Sequence, residues 1–176
     1  MLNIPLLIKK SHLQSGFWAA DFGCGRQGHL SLALSQKTGE EGKVYAIDVS
    51  AENLADLHGR IKDLARTNIH PVWADVEKKS SVALPVGSLD TVFVVNLLWS
   101  VTHAGAVLAE AMRLLKPKGR LVVVDWRPSQ FALCPPLSQL VEAQTVEKFS
   151  RERGFVVQEK FSASPYHWGM VLFRHD

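Results

Sequence analysis

The sequence predicts an α/β fold, in which helices cover both faces of a mostly parallel sheet. Three observations support this prediction. An apolar run near the start of the chain leads into a glycine-rich loop, further short apolar runs alternate with helix-like segments, and only five residues separate the last two runs, 155–161 and 167–174. The alternation requires right-handed crossovers and a parallel sheet. Five residues are too few for a crossover helix, so the last two runs are predicted to pair antiparallel.

The other elements follow in order along the chain. Strands are predicted at 17–21, 44–48, 69–74, 89–96 and within 115–125, and helices over 30–36, 51–65, 104–115 and 137–153. The helix over 51–65 has a stripe of apolar residues at three- and four-residue steps, namely Leu54, Leu57, Ile61 and Leu64, and Ser50 is placed to cap it. With the hairpin, the prediction is a doubly wound, Rossmann-like sheet of seven strands, mostly parallel and ending in an antiparallel hairpin.

The loop after the first strand is rich in glycine. Asp21 ends the apolar run, and three glycines follow at Gly23, Gly25 and Gly28. Glycine lets the backbone approach a ligand where a Cβ would clash, and the next helix directs its free N–H groups into the same space. This pattern predicts a ligand-binding turn.

The second strand ends in Asp48, twenty residues after Gly28. In a strand, glycine loop, helix, strand unit, an acid at this place binds ribose hydroxyls. Asp21 narrows the ligand further, because a carboxylate before the first glycine would repel the pyrophosphate of a dinucleotide. A ligand with a ribose and a cationic end fits both acids.

Here the chain resembles the class I S-adenosylmethionine-dependent methyltransferases, whose first motif reads D-x-G-x-G. The resemblance continues through Asp48, through Asp75 after the third strand, through the fourth strand at 89–96, and through Leu-Lys-Pro-Lys-Gly-Arg-Leu at 115–121. It covers about residues 17–126. It implies S-adenosylmethionine as the cofactor, with Asp48 on the ribose and Asp75 near the adenine amino group. The cofactor-binding residues that it implies are Asp21, Gly23, Cys24, Gly25, Gly28, Asp48, Val49, Asp75, Val76 and Asn96. One departure is Gln27, where the family often has glycine.

The motifs most resemble the branch with the ubiquinone and menaquinone biosynthesis C-methyltransferases. Those enzymes commonly carry more chain before the first strand than the sixteen residues found here. We expect one of three arrangements: residues 1–15 close over the cofactor as a lid, a second subunit covers the site in a homodimer, or the acceptor is bulky and open to solvent. Residues 127–136 are the other candidate for a lid.

Methyl transfer needs alignment of the acceptor, exclusion of water and, for some acceptors, removal of a proton. Trp73, Trp99 and Trp126 follow strand ends, and we expect Trp99 and Trp126 to line an apolar acceptor or cofactor pocket. The catalytic candidates are Trp99 and three residues that could accept a proton, His103, Tyr166 and His167. The residue after the fourth strand is an amide, Asn96, where magnesium-dependent relatives carry a carboxylate, so no metal is predicted.

Composition limits the class of protein. The chain has 176 residues, enough for one core and too few for two ordinary domains, so residues 1–176 are predicted to form one methyltransferase domain. The net charge is only +3 and the basic residues are scattered, which disfavours nucleic acid as a partner. No apolar run approaches the ~18 residues of a membrane span. Two cysteines without a leader-like start indicate a reduced protein in the cytoplasm.

The sequence therefore predicts a cytoplasmic enzyme that transfers a methyl group from S-adenosylmethionine to a small-molecule acceptor. Two alternatives stay open. The spacing of the glycines also suits a nicotinamide- or flavin-dependent oxidoreductase, although Asp21 and the hairpin disfavour it. A scaffold that binds the cofactor without catalysis is the other alternative, because no essential base is identifiable.

Overall fold

A computed structural model describes residues 2–174. Within these residues seven strands form one sheet in the order β3-β2-β1-β4-β5-β7-β6. The strands are β1 Trp18–Phe22, β2 Lys43–Asp48, β3 Ile69–Trp73, β4 Leu89–Val95, β5 Leu115–Trp126, β6 Phe155–Ser164 and β7 His167–Arg174. The first five pair in parallel, and β7 pairs antiparallel with both β5 and β6. The predicted fold class, hairpin included, is confirmed.

Helices cover both faces of the sheet. They are α1 Ile4–Ser11, α2 His29–Thr38, α3 Ala51–Asp63, α4 Ala104–Leu114 and α5 Ala143–Arg151. The first three pack apolar residues on one face, where Leu7, Leu34 and Leu57 are fully buried. The last two pack on the other face, where Val107 and Val146 are fully buried. Because β1 and β4 lie between two helical layers, their side chains are buried on both faces.

Two predicted helices are wrong in part. The last helix begins at Ala143, not at 137, because 137–139 form only a short 3₁₀ turn and Glu142 has an extended backbone. The indole N–H of Trp168 donates to the carbonyl of Val141 at 3.2 Å, which holds the extended segment against the sheet. The helix after Ser50 ends at Asp63, so Leu64 is the C-cap and is 51% exposed instead of joining the buried stripe.

The hairpin and the N-terminal segment also differ from the prediction. The hairpin strands extend to Ser164 and start at His167, so the turn is only two residues long. The N-terminal segment contains a helix, α1, that periodicity alone did not predict. Its signals are local: the Asn3 side chain accepts from the backbone N–H of Leu6 at 3.0 Å, and Pro5 lies in the first turn.

Candidate functional site

The carboxyl ends of β1, β2 and β4 surround two adjoining cavities. The first, about 290 Å³ in volume and here called the inner cavity, is lined by Gly23, Ile47, Asp48, Val49, Ala74, Asp75, Val76, Glu77, Asn96, Leu97, Ser100 and Val101. The second, about 660 Å³ and here called the loop cavity, is lined by Leu2, Ile4, Leu7, Asp21, residues 23–30, Val95 and Asn96. Gly23 and Asn96 belong to both linings, so they lie at the junction.

The glycine-rich loop turns between these cavities with a backbone that only glycine adopts easily. Gly23, Gly25 and Gly28 have φ of 72°, 64° and 53°. A Cβ on Gly23 would lie 2.9 Å from Cδ1 of Leu97, whereas a Cβ on Gly25 would meet nothing within 4 Å. The loop is therefore closely packed at the junction and open at Gly25, where a ligand can approach the backbone.

Asp48 joins the loop to the second strand. One carboxylate oxygen, Oδ2, accepts from the backbone N–H of Gly25 at 2.9 Å, and Oδ1 accepts from the backbone N–H of Ser50 at 2.9 Å. Each carboxylate oxygen can accept more than one hydrogen bond. Asp48 lines the inner cavity and is 8% exposed, so it retains capacity for hydroxyl donors of a ligand.

Asp21 lies beneath the loop with a carboxyl group that is 3% exposed. The Ser31 hydroxyl donates to its Oδ2 at 2.7 Å. The pKa of Asp21 is raised to about 6, mainly by burial and to a smaller extent by the negative charge of Asp48, while the hydrogen bonds from Ser31 oppose the shift. A cation in the loop cavity would stabilise the charged form of this carboxyl group.

Asn96 follows β4 in a left-handed backbone conformation, with φ of 52°. Its backbone N–H donates to the carbonyl of Val124 at 2.9 Å, and its carbonyl accepts from the Trp99 indole at 3.0 Å. Its side-chain oxygen is buried and has no hydrogen-bond partner among the described residues. Such an unpaired oxygen at a junction of cavities indicates an acceptor available to a ligand.

The other residues implied for the cofactor lie at the same two cavities. Val49, Asp75 and Val76 line the inner cavity, where Oδ1 of Asp75 accepts from the backbone N–H of Glu77 at 3.1 Å. Cys24 lines the loop cavity. Burial and the charges of Asp21 and Asp48 raise the pKa of its thiol, so Cys24 stays protonated and inert rather than acting as a redox group.

The catalytic candidates are dispersed. His103 is exposed at the start of α4, where its backbone N–H donates to Glu77, and its side chain lines neither cavity. Trp99 lines a third cavity of about 500 Å³, between residues 98–104 and 138–141. The structure thus separates Trp99 and His103 from the loop cavity, although both follow the same strand.

Tyr166 and His167 belong to an aromatic cluster with Trp126 and Phe131. The Phe131 ring stacks on Tyr166 with centroids 4.4 Å apart, and the His167 ring lies 4.1 Å from Trp126. Nδ1 of His167 is 2.7 Å from the Ser164 hydroxyl, and Nε2 is buried with no partner among the described residues. Burial lowers the pKa of His167, so its ring is neutral at pH 7.

The tryptophans expected at the rim have different surroundings. Trp126 lies in the aromatic cluster, and Trp99 lines the third cavity. Trp73 is 64% exposed, and its indole donates to the carbonyl of Val49 at 2.8 Å, so it lies outside the inner cavity. Trp73 therefore lies at the edge of the sheet, separate from Trp99 and Trp126.

Sequence reasoning missed several contributors. Ser31, which binds the Asp21 carboxyl group, carries no motif signal because it is one serine in a helix. Leu2, before α1, and Ile4 and Leu7 of α1 line the loop cavity; they belong to the segment 1–15 that the sequence predicts as a candidate lid, although it does not single them out. Asp125 is the last residue of the predicted range 115–125 and has no motif signal of its own, yet its buried Oδ2 accepts from the backbone N–H of Leu98 at 2.8 Å and holds the turn after β4. Within residues 2–174 no group of three or more His, Cys, Asp or Glu residues is arranged to hold a metal ion.

Curated relatives match about two thirds of the chain. A ubiquinone/menaquinone biosynthesis C-methyltransferase from Paraburkholderia phymatum is 33% identical over 120 residues, which cover 68% of this chain and 47% of the relative. A demethylmenaquinone methyltransferase from Shouchella clausii is 33% identical over 120 residues, covering 67% of this chain and 48% of the relative. The chain thus spans about half the length of these curated relatives.

Solved structures share the fold. A SAM-dependent methyltransferase from Aquifex aeolicus matches with a TM-score of 0.86 and 24% identity, covering 98% of this chain and 89% of that one. A type 11 methyltransferase from Sulfolobus solfataricus, described as putative, matches with a TM-score of 0.76 and 24% identity, covering 98% of this chain and 91% of that one. No helix within residues 2–174 is long and apolar enough to cross a bilayer. Since the family described as "Methyltransferase domain" matches residues 13–163, this chain belongs to that family.

Proposed function

We propose that this chain transfers a methyl group from S-adenosylmethionine to a small-molecule acceptor. The observation that carries the proposal is the junction at Gly23 and Asn96, where the inner cavity with Asp48 adjoins the loop cavity with Asp21. A ligand with a nucleoside at one end and a charged amino-acid arm at the other matches this order of groups. Membership in the methyltransferase domain family supports the same assignment.

The residues present fit this cofactor by three structural criteria. The backbone is open at Gly25, where a Cβ would meet no atom within 4 Å. The side-chain oxygen of Asn96 is a buried acceptor without a partner in the described part of the chain. Among the described residues that line the two cavities, Asp21 and Asp48 are buried carboxylates and Arg26 is the only lysine or arginine. This balance of charge suits a cationic ligand better than a pyrophosphate.

In this proposal each residue has a separate role. Asp48 accepts from the ribose hydroxyls, while Val49, Asp75 and Val76 surround the adenine. Asp21 and Asn96 face the amino-acid arm, and residues 23–28, which include Gly23, Cys24, Gly25 and Gly28, supply backbone along it. When bound, the cofactor supplies a methyl group made electrophilic by its sulfonium.

The acceptor side is proposed to align the acceptor and to exclude water, which together can contribute more to rate than one base. Trp99 is the proposed wall of the acceptor site because it lines the cavity that adjoins the inner cavity through Ser100 and Val101. None of the three proton acceptors, His103, Tyr166 and His167, lines the inner cavity, the loop cavity or the third cavity, so the proposal assigns proton removal to none of them.

The proposal includes one methyltransferase domain over residues 1–176, with part of the N-terminal segment acting as a lid. Leu2, Ile4 and Leu7 line the loop cavity, which supports a covering role for α1. A homodimer that completes this cover is a second form of the same proposal. We place the reaction in the cytoplasm, where the free thiols Cys24 and Cys134 would stay reduced.

Calorimetry tests the cofactor. We expect S-adenosylmethionine and S-adenosylhomocysteine to bind, and NAD(H) and NADP(H) to bind at least about tenfold more weakly, because Asp21 would repel a pyrophosphate. Tight NAD(H) binding without a response to S-adenosylhomocysteine would support the oxidoreductase alternative. Binding without turnover of labelled methyl donor across a metabolite panel would support the non-catalytic scaffold.

A further inference from the structure

One face of α3 contacts three consecutive residues of the glycine-rich loop. Arg26 pairs with Glu52 and, through Nε, with Asp56 Oδ2 at 2.9 Å. Gln27 receives two hydrogen bonds from Arg60, one at its backbone carbonyl and one at its side-chain oxygen at 2.9 Å.

Gly28 completes this contact. It packs so closely on Leu57 that a Cβ at this position would overlap the leucine side chain. Positions 52, 56 and 60 of α3 follow one another at four-residue steps and position 57 lies three residues before 60, so the four side chains share one side of the helix and face the loop.

The same helix begins at Ala51, two residues after Val49, which lines the inner cavity. Ser50 caps α3 by accepting from the backbone N–H of Asn53 at 3.2 Å, and the Asn53 amide reaches Oδ1 of Asp48 at 3.4 Å. One rigid helix therefore joins Asp48 at its start to the loop at its side. The relative position of these two ligand-binding segments is set by α3.

We propose that Arg60 is a positioning residue for the cofactor, which holds the glycine-rich loop in its binding path through Gln27 while touching no ligand itself. This inference rests on the proposed function, and it gives a role to Gln27, the position at which this chain departs from the family motif. Glycine at that position has no side-chain oxygen to bind Arg60. In this chain the side chain of Gln27 therefore gives the loop a contact with Arg60 of α3 that a glycine could not make.

The physical basis is conformational entropy. A loop with three glycines in left-handed conformations has many alternatives when it is not anchored, and ordering it on binding reduces affinity. Nη1 of Arg60 donates to both oxygens of Gln27, the backbone carbonyl and the side-chain amide, which restricts this freedom before the ligand arrives. Its loss should therefore appear mainly as a less favourable entropy of binding.

The test compares Arg60→Ala, Arg60→Lys and the control Lys62→Ala, which removes the same charge from an exposed position of α3. The readouts are calorimetry with S-adenosylhomocysteine and amide hydrogen exchange of residues 24–28. For Arg60→Ala we expect affinity to fall about three- to tenfold, the scale of one or two exposed polar contacts, with the melting temperature within about 2 °C of wild type. Exchange in the free protein should accelerate and should return to the wild-type rate once the ligand saturates the site.

Arg60→Lys should recover part of the affinity, and Lys62→Ala should resemble wild type. Wild-type affinity and unchanged loop exchange in Arg60→Ala would overturn the inference, as would an equal loss of affinity in Lys62→Ala. If wild-type protein fails to bind S-adenosylhomocysteine, the proposed function is wrong. In that case exchange of the free loop still decides whether Arg60 orders it.

Discussion

The glycine-rich loop and the segment 127–142 both lie at the carboxyl end of the sheet, but different contacts hold them. The loop is bonded to its neighbours by its backbone: Gly23 donates to the carbonyl of Ile47 at 2.8 Å, and Gly25 donates to Asp48 at 2.9 Å. The segment 127–142 is hydrogen-bonded to the rest of the described chain only near its ends, where Arg127 donates to the carbonyl of Tyr166 at 2.8 Å and the carbonyl of Val141 accepts from Trp168 at 3.2 Å. Its middle is attached through the stacking of Phe131, and Leu133 and Leu137 are 73% and 70% exposed. Polar backbone contacts give one geometry, whereas stacked rings allow sliding.

This difference in attachment corresponds to the two substrates of the proposed reaction, with the cofactor at the loop and the acceptor near the segment 127–142. A cofactor of constant shape is suited to a preorganised loop, because little ordering is then required on binding. An acceptor site formed by a segment with an exposed middle can differ in shape between relatives, while the shape of the cofactor site stays the same. The comparison therefore predicts that substitutions on the loop side change cofactor affinity, and that substitutions in the segment do not.

The largest expected effect is at Asp48. Asp48→Ala removes the acceptor for the ribose hydroxyls and also for the N–H of Gly25, so the affinity for S-adenosylhomocysteine should fall by roughly 1.5 to 3 kcal/mol. Calorimetry measures this change. As a control, Asp63→Ala removes an exposed carboxylate of α3 that lines neither cavity and does not contact the glycine-rich loop, and it should weaken binding far less. Equal affinities for wild type and Asp48→Ala would place the ribose elsewhere.

Asp21→Asn tests the loop side of this comparison, because it should weaken cofactor binding but increase the stability of the fold at pH 8. The folded pKa of Asp21, about 6, exceeds the unfolded value, so the folded state binds the proton more tightly. Stability contributed by this proton is present below pH 4 and is lost as the pH rises towards 6. Above pH 6 the buried charge is destabilising, and Asp21→Asn should raise the free energy of unfolding by about 1 to 2 kcal/mol at pH 8.

The same variant should bind S-adenosylmethionine more weakly at pH 8, because the cationic arm loses its charged neighbour. Wild-type affinity should decline as the pH falls from 7 to 5, since protonation of Asp21 removes its charge, and the Asn variant should lack that part of the pH dependence. Denaturant unfolding at pH 5 and 8, with calorimetry at both values, measures both effects. A stability loss at pH 8 with retained binding would mean that Asp21 serves only to hold Ser31 and the loop.

Most of the loop side could be predicted from sequence, whereas the acceptor side could not. Glycines with positive φ and acids at strand ends are local signals: Asp48 ends β2 as predicted, Asp21 lies one residue before the end of β1, and Gly23 directly follows β1. The start of the last helix was wrong because Trp168, 27 residues away, bonds the carbonyl of Val141 and keeps the chain extended. Side-chain contacts of this kind, between residues distant in sequence, have no periodicity to detect.

The position of Trp99 gives a spectroscopic test of the boundary between the two sides. Its indole donates to the carbonyl of Asn96 at 3.0 Å, so ligand binding at Asn96 should change its environment. Saturating S-adenosylhomocysteine should change intrinsic fluorescence, and Trp99→Phe should remove most of that change. Trp18→Phe is the matched control, because Trp18 begins β1 at the opposite end of the strand and lines none of the three cavities. A response that survives in Trp99→Phe would assign the signal to another indole.

The smallest expected effect is at Phe131, in the segment 127–142. Phe131→Ala removes the stacking on Tyr166 and Trp126, which is worth about 0.5 to 1.5 kcal/mol, and Phe131 is already 38% exposed, so the loss of stability should lie near the lower value. Affinity for S-adenosylhomocysteine should stay within about twofold of wild type, because the contacts of the glycine-rich loop are unchanged. Hydrogen exchange should accelerate in 128–136 and remain unchanged in 23–28. A large loss of cofactor affinity in this variant would show that the aromatic cluster supports the cofactor site, and it would remove the distinction between a preorganised loop and an adaptable segment.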